Sequence, residues 1–126
     1  MSKKHLRFNP LITLSIVLAL CLALSCERGA LWAQDFRRGD ANSDGVLSLP
    51  DVISILDYIS GLGDARDCAD AMDVNDDGSI NIVDPIFQLV FLFAGGQSPM
   101  APYPFCGSDP TSDSLNCDNY PASVCP

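Results

Sequence analysis

Gly39-Asp40-Ala41-Asn42-Ser43-Asp44-Gly45 and Met72-Asp73-Val74-Asn75-Asp76-Asp77-Gly78 are two copies of one pattern, offset by 33 residues. Each copy runs on into a short alternating stretch, Val46-Leu47-Ser48-Leu49 or Ser79-Ile80-Asn81-Ile82, and then into an apolar segment of helical period. Self-similarity at such an offset marks one supersecondary unit used twice. The unit is a loop followed by a helix.

The polar residues of the loop alternate, which is the spacing that lets a tight chain wrap one hard cation with oxygen. A twelve-residue calcium loop takes ligands from positions 1, 3, 5, 7, 9 and 12 and needs glycine at position 6, where the chain turns sharply. The first copy supplies Asp40, Asn42, Asp44, the Val46 carbonyl, Ser48 and Asp51, with Gly45 at the turn. The second supplies Asp73, Asn75, Asp77, the Ser79 carbonyl, Asn81 and Asp84, with Gly78 at the turn. Ser48 and Asn81, at position 9, are expected to act through a water. One such stretch alone reads as a surface Asp-Asn-Gly turn. Two complete loops, each with a carboxylate at position 12, predict two calcium ions. Leu47 and Ile80, at position 8, are expected to pair the loops through a short strand contact beside a shared core.

Beyond the first loop, Val52, Ile53, Ile55, Leu56 and Ile59 recur at helical spacing, with Pro50 in the first turn and Gly61 and Gly63 as the stop. The spacing predicts a helix over about 50–60. The second helix runs from Pro85 through Ile86, Phe87, Leu89, Val90, Phe91, Leu92 and Phe93 to Gly95-Gly96, with Gln88 its polar break. A helix apolar almost all round calls for burial on several sides or for a protein partner. Little chain precedes either loop, only Gln34 to Gly39 and Ala65 to Met72, so each unit lacks the entering helix of a complete EF-hand. Each is a half-hand.

Two half-hands 33 residues apart, aspartate rather than glutamate at position 12, and an export signal together resemble bacterial dockerin domains of the type I repeat class. The resemblance covers about residues 37 to 95. It implies a small all-α fold of two calcium loop-helix (F-hand) repeats related by a pseudo-two-fold axis. It also implies docking onto a cohesin-like or other extracellular protein, commonly in polysaccharide catabolism. The partner-reading positions 10 and 11 fall on Leu49, Pro50, Ile82 and Val83. These differ from the small or hydroxyl residues of familiar dockerins, and Asp57-Tyr58 and Val90-Phe91 stand where a basic pair is usual.

The N-terminal third is read separately. Lys3, Lys4 and Arg7 precede an apolar run from Leu11 to Ser25, followed by Glu27, Arg28 and a small-residue site at Ala33, the layout of a secretory signal peptide. The run is shorter than the roughly 20 apolar residues of a membrane span. Residues 1–33 are therefore expected to be a signal peptide, leaving 34–96 as the calcium-binding domain and 97–126 as a Pro-rich tail, in an extracellular or cell-surface protein. Two alternatives stay open: lipid attachment at Cys26, in the box Ala23-Leu24-Ser25-Cys26, and a retained membrane helix.

The whole chain carries a formal net charge of -9. Beyond Ala33 three basic residues face fifteen acidic ones, a balance of -12. Such a polyanion repels nucleic acid and anionic lipid, and its natural small partner is a cation. Four cysteines remain there, Cys68, Cys106, Cys117 and Cys125, an even number that reads as two disulfides in an oxidising compartment. Of three connectivities, Cys68–Cys106 with Cys117–Cys125 is preferred. Zinc is disfavoured, since no Cys-x-x-Cys pair exists. The tail is expected to be irregular and held by these staples.

The single histidine, His5, lies in the leader, so no Ser-His or Cys-His nucleophile can form beyond it. Six of the fifteen acids are already assigned to calcium, which argues against catalysis by paired carboxylates. No catalytic residue is assigned and the chain is expected not to be an enzyme. Tyr58, Tyr103 and Tyr120 read as packing in preference to a sugar platform. An independent structural or adhesive protein, whose calcium loops only hold the fold, is the alternative to a docking module.

Overall fold

The repeat read from the sequence is carried by two helices. The structure, a computed structural model, describes residues 34–63 and 67–126. The leader, its cleavage at Ala33 and lipidation at Cys26 lie outside the described residues.

Helix α1 (Leu49–Ile59) begins directly on the first loop, one residue before the expected start. Its entry is closed by Asp51, whose Oδ2 accepts the Ser48 N–H at 2.7 Å, reaching back as the third residue of a capping box does. Pro50 sits in the first turn, where the missing N–H costs nothing. Helix α2 (Val83–Ala94) takes Asp84 and Pro85 into its first turn and ends at Gly95 in the left-handed conformation. No helix runs directly into either loop, residues 34–39 and 67–72 being non-helical, and among the described residues no helix is long and apolar enough to cross a membrane.

The helices pack on each other beside a core of Ala41, Ile55, Met72 and Val74, flanked by Tyr58, Ile80 and Phe87. Both loops and both helices contribute to this cluster, so neither repeat has a core of its own. Gln88, the polar break of α2, is fully buried and its Nε2 donates to the Gly39 carbonyl at 2.8 Å. The second helix is thus pinned to the start of the first loop by the residue that interrupts its apolar face.

A second core joins the first residues of the described chain to its last: Phe36, Cys68, Ala71, Cys117, Tyr120 and Cys125, with Cys106 and Val124 against them. The tail has no helix and no strand beyond isolated antiparallel bridges, Phe36 with Gly107 and Cys68 with Cys117. Ala33–Pro126 form one compact unit, so the tail and the repeats fold together.

The disulfides correct the preferred pairing. They are Cys68–Cys117 and Cys106–Cys125. The tail runs back alongside the residues before the second loop, where the Ala69 N–H donates to the Asn116 carbonyl at 2.8 Å and the Asp118 N–H to Asp67 at 2.7 Å. That pairing sets Cys117 opposite Cys68 and leaves Cys106 to meet Cys125. The strand contact expected between Leu47 and Ile80 is also absent among the described residues. Leu47 lies over Gly39, so close that a Cβ there would come within 2.6 Å of its Cδ1, while Ile80 is drawn into the core with Met72 and Val74.

Candidate metal centre

The two loops share one hydrogen-bond pattern. Asp40 accepts the Asp44 N–H at 3.0 Å and the Gly45 N–H at 2.9 Å. Asp73 likewise accepts the Asp77 N–H at 3.2 Å and the Gly78 N–H at 2.8 Å. The turn needs a backbone that only small or special residues adopt: Gly45 and Gly78 have φ of 85° and 79°. Ser43 and Asp76, at position 4 of each loop, are left-handed at 60° and 59°.

The position-12 carboxylates close each loop from the helix side. Asp51 accepts the Asn42 N–H at 3.2 Å besides the Ser48 bond. Asp84 accepts the Val74 N–H at 2.9 Å and the Asn81 N–H at 2.8 Å. Helices α1 and α2 begin at positions 10 and 11 of their loops, so Asp51 and Asp84 stand in the first turn of their helices. At positions 3 and 5, the Asn42 amide donates to Asp44 Oδ2 at 2.8 Å and the Asn75 amide to Asp77 Oδ2 at 2.8 Å. Asn81 bonds locally, its amide donating to the Ser79 carbonyl at 3.0 Å. Ser48, half-buried, and Val46, whose side chain is exposed, complete the first loop.

Burial separates the ligands into two groups. Asp40, Asp51, Asp73 and Asp84 have no solvent exposure at all, whereas Asp44 and Asp77 face outward. Among the described residues no cationic side chain pairs with any of these four. Burial pushes Asp51 up to about 6, partly offset by the Ser48 and Asn42 N–H groups and reinforced by Asp40 and Asp44. Asp84 is pushed up to about 6 for the same first reason, with Asp73 adding to it. Isolated buried carboxylates resist ionisation, and a cation among them reverses that.

Several residues that hold the loops carry no signal in the sequence. Tyr120 donates its hydroxyl hydrogen to Asp40 Oδ2, and burial, then this bond, raises its phenol far above the ordinary value. Val124 packs on Gly45 and Asp113 on Gly78. Arg38, fully buried over the Phe36 ring, donates to the Asp73 carbonyl at 2.7 Å, the Asp70 carbonyl at 3.1 Å and the Ala101 carbonyl at 2.7 Å. Its Nη2 pairs with Asp109 at 2.7 Å and Asp76 at 2.9 Å. One guanidinium therefore fastens the approach to the second loop onto the tail.

Carboxylates also gather beyond the loop ligand sets, in one case around Asp73 itself. Oxygens of Asp70, Asp109 and Asp113 lie within 4.8 Å of one another, as do those of Asp73, Asp76 and Asp113, groupings that could hold a metal ion. Burial, followed by the charges of Asp109 and Asp113, pushes Asp70 up to about 6.

The positions assigned to partner reading sit at the helix starts: Leu49, Pro50, Ile82 and Val83 are all exposed. They continue into Ile53 on α1 and into Ile86, Val90 and Phe93 on α2, which are also exposed. The tail meets α2 where Tyr103 packs edge-on against Phe91 at 5.6 Å between ring centres. No protein-family model matches the chain, and no curated protein or solved structure does either.

Proposed function

We propose that this chain is an exported calcium-binding module of dockerin type, holding one calcium ion in each loop and presenting its helix starts to an extracellular protein partner. The observation that carries the reading is the repeated set of fully buried aspartates without a cationic partner among the described residues, Asp40 with Asp51 and Asp73 with Asp84, at the first and last ligand positions of both loops. A charge left buried without a partner is strongly unfavourable, and a divalent ion supplies the partner for each pair. Asn75 supports the fit: its Oδ1 is buried at ligand position 3 and has no hydrogen-bond partner. The donor set is all oxygen, which suits calcium over softer metals.

Docking is supported by the exposed apolar residues at the helix starts, Leu49, Ile53, Ile82, Val83, Ile86 and Val90, of which Val83, Ile86 and Val90 line one groove. A cohesin-like protein in a polysaccharide-degrading assembly is the partner that the dockerin resemblance suggests. A second reading, a self-contained extracellular structural or adhesive protein stabilised by its ions, is favoured by the way Tyr120, Val124 and Asp113 lock the tail onto the loops. The two readings share the calcium sites and the two disulfides that belong to an oxidising compartment.

Titration calorimetry on the exported chain tests the shared part. Asp40→Ala and Asp73→Ala should each remove one ion, and helicity and melting temperature should both fall in chelator, because self-repelling acids and a small core leave little margin without the ions. Unchanged stoichiometry in both variants refutes the ligand assignment. A partner screen against exported proteins of the same host then separates docking from self-sufficiency.

A further inference from the structure

Asp70, Asp109 and Asp113 belong to neither loop's ligand set, yet the fold assembles them. Asp70 lies in the turn ahead of the second loop, and the other two come from the tail segment between Cys106 and Cys117. Asp70 is 5% exposed and its Oδ1 is buried with no hydrogen-bond partner, although oxygens of Asp109 and Asp113 lie within 4.8 Å. Arg38, the cation nearest at hand, does not answer it. Its Nη2 goes to Asp109 and Asp76, and it gives Asp70 a bond only at the backbone carbonyl.

The donors around the cluster leave oxygens over. Arg38 Nη2, the Thr111 N–H and the Thr111 hydroxyl all converge on Asp109 Oδ1, at 2.7, 3.1 and 3.1 Å. The Leu115 N–H holds Asp113 Oδ1 at 2.6 Å. Each acid is thus oriented through at most one oxygen, and the other receives no donor from the described residues. A buried carboxylate oxygen without a donor, beside two further carboxylates, is strongly unfavourable unless something positive is shared among them.

We propose that Asp70, Asp109 and Asp113 form a third cation site, taking a hard divalent ion of the calcium class and clamping the C-terminal tail onto the second loop. The chemistry follows from the donors: three carboxylates from separate segments, without nitrogen or sulfur, match the oxygen preference and flexible coordination of calcium. Thr111 Oγ1 also donates to Asp76 Oδ1 at 2.7 Å, so ordering this segment bears directly on the second loop. Filling the third site should therefore strengthen binding in the loop that begins at Asp73. None of its three residues is a loop ligand, but Asp113 also lies within 4.8 Å of Asp73 and Asp76, so Asp70 is the member that belongs to this site alone.

Native mass spectrometry of the full chain, exported with both disulfides formed and titrated with calcium, counts the ions directly. Three are expected for the natural chain and two for Asp113→Asn, whose side chain is exposed enough to be replaced with the fold intact by circular dichroism. Should that variant fail to fold, Asp70→Asn serves the same count. A count unchanged by the substitution overturns the site, whatever the loops hold. A single ion in the natural chain that survives Asp73→Ala and vanishes in Asp70→Asn, the residue found only in this grouping, would keep this site and refute the loop assignment instead.

Discussion

The hydroxyl of Tyr120, near the C-terminus, is hydrogen-bonded to Asp40, the first residue of the first loop, across a sequence separation of 80. Tyr120 and Asp40 are 2% and 0% exposed, so the bond is shielded from water. It fixes one oxygen of a proposed ligand from outside the ligand set, the role that outer-sphere partners play at metal sites. Tyr120→Phe keeps the ring packing and removes only this bond. Calcium affinity at the first loop should fall about 10- to 100-fold, while the second loop changes little. Titration calorimetry resolving the two classes of site checks this, and equal weakening of both loops would contradict it.

Acidity should act in opposite directions with and without calcium. Asp51 and Asp84 are pushed up from 3.8 to about 6 by burial, so the folded calcium-free chain binds protons more tightly than the unfolded one. Their protonated forms favour the fold at low pH, and that advantage is lost as pH rises from 3.8 through 6. Calcium demands the ionised form, so its affinity should weaken as pH falls through about 6. Thermal melts in chelator should show a higher midpoint at about pH 5 than at about pH 7.5. The added stability from calcium should be larger at the higher pH. A midpoint in chelator that rises with pH across this window would contradict the assignment.

The disulfides differ in the loops they close. Cys68–Cys117 spans 49 residues and Cys106–Cys125 spans 19. Chain-entropy arguments give about 4 kcal/mol for the first and about 3 kcal/mol for the second. Replacing the first pair by serine should therefore lower the melting temperature more, the more so because it also frees the tail from the approach to the second loop. Peptide mapping without reduction should recover those two linkages, and full reduction should add four hydrogens to the intact mass. Recovery of Cys68 linked to Cys106 would refute the fold of the tail.

Ile82 and Val83 are 53% and 47% exposed, and Val83 opens onto a shallow apolar groove of about 230 Å³ shared with Ile86, Phe87, Val90 and Gln97. Ile82→Asp with Val83→Asp should change stability by no more than about 0.5 kcal/mol per site. Capture of a protein partner should be abolished. Unfolding of this double variant would remove the docking surface and leave the self-contained structural protein as the better reading.

The alternation of Asp, Asn and Asp ahead of a glycine, and the apolar period after it, were readable because both are local. Ligand spacing within a loop and helical facing are set by residues a few positions apart. The helices accordingly start and end close to where the pattern put them, Gly95 capping the second as its place predicted. Aspartate at position 12 was legible too, as was a first helix that begins on the loop itself, which the structure starts one residue earlier, at Leu49.

What the tertiary structure alone decided is long-range. The sequence by itself determined the two loops, the two helices and the presence of four cysteines beyond residue 33. It did not determine which cysteines meet, because pairing depends on the tail returning beside Cys68 and not on the distance between residues along the chain. Nor could it reveal that Gln88 reaches Gly39, that Arg38 fastens Asp73 to the tail, or that Asp70 waits beside Asp109 and Asp113. These polar groups look like ordinary surface residues until folding buries them. Their partners are then chosen by whichever donors and acceptors the packed chain brings within about 3 Å.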